Sequence, residues 1–518
     1  MPDQSFAQHV WTANTSSHAL AGRIRYQSQI SLLARSLPQR VTRHRFLARF
    51  SPATILLSSV TLVLLPDDTS FLAAALIGSA NAVLITYVFC KDPFGIRWSV
   101  ALADGLLLGY VLGALNTILQ TGVGPSLASL VGRDVTDLCR ALALVMAVCG
   151  VLIFCGYVIE PPVFKRRVRL SRREYNIIWI GIALMLAAYF RGAIGYMGAT
   201  PGADHHVSPL GALAAWAVVP VTAMTTLACL EAHTQSKRTV YVLLWLAEFM
   251  MVVPQGRRVV LYAVLINIIA ANLSIVRLRF SIFQKLAILS LLVVLGASSF
   301  VAFYALRMAR IERGKHFESL SSTITRASRI VSGDTRSGMR LALDLKRNVA
   351  KRTFILSYFN DLLIGSSTVE TLHGEDAWRA FRMAIPSLIY RDKQELAPAE
   401  EVQANSHFGL VTRDEANSIL TAGVIDFGIV GVFLYPTILA AMVCFYLHLA
   451  EKILPLWTWL IALCLLSMLI QAEVEIPMYF QLFRDTFLFT VLLAILRTLP
   501  AIQIFRPLPT AHASNVSR

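Results

Sequence analysis

The chain has 518 residues, of which 56% are hydrophobic and 15% are charged, and its formal net charge is +16 at pH 7. No soluble fold of this size can hide that much apolar surface from water, so we exclude a soluble globular protein and expect the lipid bilayer to act as its solvent. The basic residues lie in short segments between apolar runs, which is how membrane topology is specified. This distribution argues against nucleic acid as a partner.

The N-terminal tail is polar and basic. Residues 1–50 contain seven arginines and a single acid, Asp3, without the apolar core of a signal peptide, so we predict a cytoplasmic tail. Beyond it, apolar runs of about twenty residues, the length that crosses a hydrocarbon core of about 30 Å, recur along the chain. They predict about twelve transmembrane helices, near 51–66, 70–90, 99–120, 140–159, 176–197, 210–230, 240–254, 258–275, 283–305, 417–447, 453–472 and 479–499.

The charges of the connecting segments predict their side of the membrane. With a cytoplasmic N-terminus, every basic short loop lies in the cytoplasm, including the arginine-rich run 165–173, whereas segment 306–416 lies outside. We therefore predict an all-α polytopic membrane helix bundle with both termini in the cytoplasm. Its parts are a basic tail (1–50), transmembrane helices 1–9 (51–305), a large, mostly helical extracytoplasmic loop (306–416), transmembrane helices 10–12 (417–499) and a second tail (500–518).

Four arginines lie in predicted apolar or outer segments, where positively charged residues are not expected. Arg257 and Arg258 lie in a very short outer connection, Arg191 lies inside the fifth predicted span, and Arg484 lies near the outer end of the twelfth. Charged side chains at membrane depth usually face a cavity or an ionic partner, so these arginines are candidates for binding an anion. The structural alternatives are that the seventh and eighth spans form one re-entrant unit, that the arginines pair with Glu248 or Asp485, or that they snorkel to the interface.

A second group of polar residues lies where the large loop approaches the membrane again. Three titratable side chains there could act as a general base, namely His407, Asp414 and Glu415. Three cations in the same region, Arg391, Lys393 and Arg413, could pair with the neighbouring acids. The adjacent His205 and His206 are poorly spaced for a metal, so we predict neither a metal site nor a cofactor.

Three short motifs and the overall layout are similar to a known family. Residues 255–258 look like its Gly-Arg element, 385–393 like its Pro-Arg…Asp-Lys-Pro loop, and 414–417 leading into 426–431 like its Asp-Phe-Gly…Gly re-entry helix. Ser387 and Gln394 depart from the loop pattern, where an arginine and a second proline are common. The chain thus resembles the Wzy-type O-antigen and exopolysaccharide polymerases, the oligosaccharide repeat-unit polymerase family.

The resemblance implies a GT-C-like membrane glycosyltransferase in the bacterial inner membrane with its active site facing the periplasm. Such an enzyme transfers a growing glycan from its undecaprenyl diphosphate carrier to another lipid-linked repeat unit, with inversion and without a metal, and a chain-length regulator can assist it. The diphosphate would then meet Arg257, Arg258, Arg191, Arg484, Arg391, Lys393 and Arg413. The acceptor hydroxyl would lose its proton to His407, Glu415 or Asp414.

Three other functions remain open from the residues alone. An O-antigen ligase, or a related glycosyltransferase acting on lipid-linked sugars, would use the same donor. A lipid-linked oligosaccharide flippase or transporter would make no bond, although it would be expected to show repeat symmetry and to lack a large folded outer loop. A non-catalytic assembly subunit is the third alternative.

Overall fold

A computed structural model describes residues 40–121, 134–190, 209–252, 257–276, 320–332, 355–386, 389–390, 400–410 and 417–498, with five single positions between 290 and 305. Within these ranges the chain is helical and contains no β-strand, apart from one isolated bridge between Val168 and Ser274. The predicted all-α fold is therefore confirmed for the described residues. Residues 1–50 form a unit of their own, described only from Arg40 onward, where it is helical.

The helices before the large loop follow the predicted apolar runs, except that the predicted span 283–305 lies almost wholly outside the described residues. Their bounds are α1 Arg40–Leu64, α2 Asp68–Lys91, α3 Trp98–Leu106, α4 Leu112–Thr121, α5 Val135–Ile159, α6 Arg172–Phe190, α7 Pro209–Glu231, α8 Gln235–Val252 and α9 Arg257–Leu273.

Further helices lie in the large loop and after it. Those of the loop are α10 Leu320–Val331, α11 Ile355–Thr368, α12 Glu375–Ala384 and α13 Glu400–Phe408. We refer to α11, α12 and α13 together as the cap. The helices that follow are α14 Ile419–Ile453, α15 Thr458–Leu469 and α16 Ile476–Thr498.

Length and composition identify the helices that can cross a bilayer. Within the described ranges five are long and apolar enough: Asp68–Lys91, Trp98–Asn116, Val135–Ile159, Ile419–Ile453 and Ile476–Ile495. Shorter apolar helices occur at Phe50–Leu64, Ala217–Glu231, Tyr262–Leu273 and Thr458–Leu469. Helices long and apolar enough to cross a membrane are thus present at five of the predicted positions, and the count of twelve stays a prediction.

A π-helical turn, Leu107–Val111, joins α3 to α4. Its buried Tyr110 places the hydroxyl 2.5 Å from Ser418 Oγ, and its ring packs edge-on against Phe359 of the cap at 5.6 Å. Ser418 in turn caps the N-terminus of α14 by accepting hydrogen bonds from two backbone N–H groups. The widened turn therefore links a membrane helix to both the cap and α14.

The predicted span 417–447 overlaps α14, and this helix is broken. Phe427 and Gly428 have non-helical backbone angles, and Gly428 adopts a φ of 58° that favours glycine. A Cβ atom on Gly431 would lie 1.9 Å from the carbonyl oxygen of Gly423. Residues eight apart in a straight helix are separated by about 12 Å, so the arms 419–426 and 429–453 fold against each other.

The helix observed within the predicted span 453–472 is shorter than that span. Helix α15 has 12 residues, which gives a length of about 18 Å against a hydrocarbon core of about 30 Å. The non-helical chain that follows is covered by protein, since Ile470, Ala472 and Val474 are buried. Non-helical backbone is tolerated at membrane depth only where protein or water covers it.

The contact between the two arms of α14 makes a testable prediction. We expect Gly431→Ala to lower the apparent unfolding temperature of the purified protein strongly, because its Cβ meets rigid backbone and the arms must separate. Gly409→Ala is the comparison variant: unlike Gly431, Gly409 has a positive φ, of 66°, and open space surrounds its Cβ position, so only a backbone penalty of about 1–2 kcal/mol applies. An apparent unfolding temperature of Gly431→Ala equal to or above that of Gly409→Ala would contradict the close contact.

Candidate functional site: the junction of the cap with the membrane helices

The break in α14 turns Asp426 toward the cap. Its carboxylate oxygens each accept a hydrogen bond of 3.0 Å, from the backbone N–H groups of Asp376 and Ala377 in the first turn of α12. The hydroxyl of Tyr435, on the second arm of α14, also donates to this carboxylate. Because the N-terminus of a helix carries partial positive charge and unpaired N–H groups, the buried Asp426 stabilises α12 from outside its own segment.

The backbone around the break is also paired with the cap. The N–H of Leu372 donates to the carbonyl oxygen of Ile425 at 3.0 Å, and the N–H of His373 donates to that of Asp426 at 2.9 Å. His373 has a positive φ of 51° and Gly374 one of 94°, which turn the chain into α12. The interruption of α14 therefore exposes backbone carbonyls that the cap uses.

An arginine of α16 binds the other end of α12. Arg484 donates from Nη1 to the carbonyl oxygen of Ala384 at 2.9 Å and from Nε to Asp485 Oδ1 at 2.6 Å. The C-terminus of a helix carries partial negative charge, so a guanidinium there is favourable. Helix α12 is consequently held between an anion of α14 and a cation of α16, each matched to the end that it contacts.

Two carboxylic acids are buried at the inner face of α12, Asp376 on the helix itself and Glu400 near it. Asp376 and Glu400 are 1% and 2% exposed; Asp376 lies 3.5 Å from the guanidinium of Arg379, and Glu400 accepts a hydrogen bond of 3.2 Å from the N–H of Ile476, the first residue of α16. Burial, with the nearby Asp426 carboxylate, raises the pKa of Asp376 to about 7. Burial, with Asp376 and Glu475 adding to it, raises the pKa of Glu400 well above its usual range.

His407 lies in the last turn of α13 and is half-buried. Its Nε2 is 2.6 Å from the carbonyl oxygen of Glu370. A carbonyl oxygen can only accept, so Nε2 carries the proton, and in the neutral ring the lone pair is on Nδ1. Any base action by His407 in this arrangement would use Nδ1.

The predicted site residues divide into three groups by their place in the structure. Arg484 and His407 are described and both contact the cap. Arg257 and Arg258 are the first two residues of α9, and their side chains lie outside the description. The remaining predicted residues, Arg191, Arg391, Lys393, Arg413, Asp414 and Glu415, lie outside the described residues. Glu248, the proposed structural partner of the arginines, is buried and accepts a hydrogen bond of 2.7 Å from Thr225.

Sequence reasoning missed the acids that form the junction. Asp376 is an acid in the first turn of a short helix, a position usually exposed to water, and Glu400 begins a short polar segment. A signal was present for Asp376, because Ala380 and Ala384 follow it at helical spacing and all three share the buried face. Asp426 was noticed only as part of a motif, without its capping role.

Helices long and apolar enough to cross a membrane, joined to a cap by buried charges, define an all-helical membrane protein. Comparison with known protein families, with curated proteins and with solved structures finds no match.

We expect Asp426→Ala to loosen the cap. The substitution removes the acceptor of two backbone N–H groups and of the Tyr435 hydroxyl, and each unpaired buried group costs about 1–3 kcal/mol. The measurement is the rate of limited proteolysis within 355–410 in nanodiscs. Glu375→Ala, an exposed residue in the turn of α12 that Asp426 caps, is the control and should stay near wild type. Equal cleavage rates for the two variants would show that Asp426 does not hold α12.

We expect the stability of the protein to fall as the pH rises from about 4 to about 7.5. Because burial raises the pKa of Asp376 to about 7, the folded state holds a proton that the unfolded chain loses near pH 4; this contribution is fully present below the unfolded pKa and disappears as the pH passes the folded one. Asp376→Asn should flatten the dependence of the unfolding temperature on pH. The same slope in both proteins would contradict a protonated Asp376.

Proposed function

We propose that the chain is a membrane glycosyltransferase of the polysaccharide polymerase type. It transfers a growing glycan from undecaprenyl diphosphate to another lipid-linked repeat unit at the periplasmic face of the bacterial inner membrane. The reaction is inverting and needs no metal. The proposal places the described junction of cap and membrane helices at that face.

One observation carries the proposal: ionisable groups converge where the cap meets α14 and α16. Arg484 lies at the C-terminus of α12, Asp376 with Arg379 lies on its buried face, and His407 contacts the loop that leads into it. Buried charged groups with shifted pKa values are more frequent at functional sites than elsewhere. A substrate with a lipid tail and a polar head needs a site at such a boundary between apolar and polar surfaces.

The chemistry requires a cation and a base. The bond between the anomeric carbon of the donor and the diphosphate oxygen breaks, and the diphosphate leaves with the electron pair. Arginine guanidinium groups stabilise the negative charge that develops there. An acceptor hydroxyl attacks the opposite face of the sugar, forms the new glycosidic bond and gives its proton to a base, for which His407, Asp414 and Glu415 are the candidates.

The cap contributes by covering the reacting groups. The donor would react with water if water reached it as readily as the acceptor does, so a transferase must exclude water during the reaction. Helix α12, fixed at both ends by Asp426 and Arg484, provides a rigid cover over the junction. Loss of the hydrogen bonds at either end of α12 would let this cover open.

The test uses purified protein in nanodiscs, supplied with lipid diphosphate-linked repeat units from its own host, and the product length is measured. We expect a ladder with wild-type protein and its loss with Arg257→Ala and Arg258→Ala. His407→Gln keeps an N–H donor for the carbonyl of Glu370 but removes the base, so the extension rate should fall about 10²–10⁴-fold. His373→Asn is the control, because His373 is exposed and asparagine tolerates its positive φ.

Each other result has a defined meaning. Wild-type extension by His407→Gln would remove His407 from the reaction. Unextended repeat units with a native acceptor present, together with movement of the same lipids across a vesicle membrane, would replace the polymerase by a transporter. Transfer of a glycan to lipid A core without extension would identify a ligase.

A further inference from the structure

The outward face of α12 is aromatic. Trp378 and Phe381 are 60% and 44% exposed, and their rings stack at a centroid distance of 5.5 Å. The opposite face of the helix, with Asp376, Ala380 and Ala384, is buried against the rest of the protein. A cap helix that faced only water would place polar residues outward, so this face requires an apolar environment.

The aromatic face continues into the lipid-facing side of α16. Phe381 packs edge-on against Phe480 of α16 at 5.8 Å. Seven, eight and eleven residues after Phe480, on the same side of the helix, α16 exposes Phe487, Leu488 and Val491. Helix α16 is one of the candidate membrane spans, so exposed apolar side chains along it are the ones that face acyl chains.

The contacts also place α12 beside the first part of α16. Phe480 lies about 6 Å, and Arg484 about 12 Å, along α16 from its first residue. Helix α12 therefore lies beside the first two turns of a membrane span, at the level of the boundary between headgroups and acyl chains. Tryptophan is enriched at this level. Arg382, over the ring of Tyr390 at 5.8 Å, adds a cation close to Trp378 and Phe381 whose long side chain can reach the headgroups.

We propose that α12 is an interfacial helix whose Trp378–Phe381 face binds the phospholipid leaflet at the cap end of α16. The occupant is the bilayer itself, and the argument is the continuity of this face with the lipid-facing stripe of α16. Amphipathic helices that lie in the interface bury their apolar face about 5–10 Å into the headgroup boundary. The inference does not depend on the proposed reaction, because it needs only that α16 crosses the membrane.

The test is photo-crosslinking of the full chain in phospholipid nanodiscs, with benzoylphenylalanine in place of Trp378. The positive control places the same group at Leu488, which is exposed on α16, and the negative control places it at Glu370, whose side chain is 84% exposed in the loop before α12. Intact mass measurement after illumination identifies the adduct.

We expect a mass increase of one phospholipid at position 378, as at 488, and none at 370. Two results would overturn the inference. The first is a lipid adduct at 488 with none at 378. The second is a crosslink from 378 to another copy of the chain, which would make protein the partner of this face.

Discussion

The carboxylate of Asp426 is shared between a membrane helix and the cap, and most of the described architecture around the cap depends on that sharing. In a continuous α14 the Asp426 side chain would lie on the surface of that helix. The break at Phe427 and Gly428 instead ends the first arm of α14 beside the first turn of α12. The two N–H groups that donate hydrogen bonds to the carboxylate belong to residues about fifty positions earlier in the chain. A hydrogen bond from N–H to a buried carboxylate is stronger than a neutral one, so the cap acquires its position from the membrane helices.

Charged side chains also bind the C-terminus of α12 and the N-terminus of α16. Arg484 matches the partial negative charge of the helix C-terminus, and Glu400 accepts from the first N–H of α16. Helix α12 and helix α16 are thus each capped by the other region of the chain, which couples cap and bundle in both directions. The aromatic outer face of α12 would add a third attachment, to lipid. The membrane helices thus hold α12 at both of its ends.

The sequence predicts structural features that depend on neighbouring residues, and it misses contacts between residues that lie far apart in the chain. Apolar runs of about twenty residues locate the helices because burial in lipid is a local property of the chain, and α2 and α5 lie where they were predicted. The break in α14 was indicated only by the resemblance of residues 426–431 to a re-entry helix, because apolar residues continue on both sides of Asp426 and glycine is common in membrane helices. The roles of Asp376 and Arg484 were missed or left open because their partners in α14 and at Ala384 lie far away in the chain.

We propose that a lipid diphosphate-linked glycan reacts at the junction of the cap with α14 and α16. The most direct measurement is an experimental structure of the chain in a nanodisc with such a repeat unit bound. Density for the diphosphate against arginine side chains at this junction, with the sugar within reach of Nδ1 of His407, is the predicted result. Density for the diphosphate at the opposite end of the bundle, beside the arginine-rich run 165–173, would contradict the account.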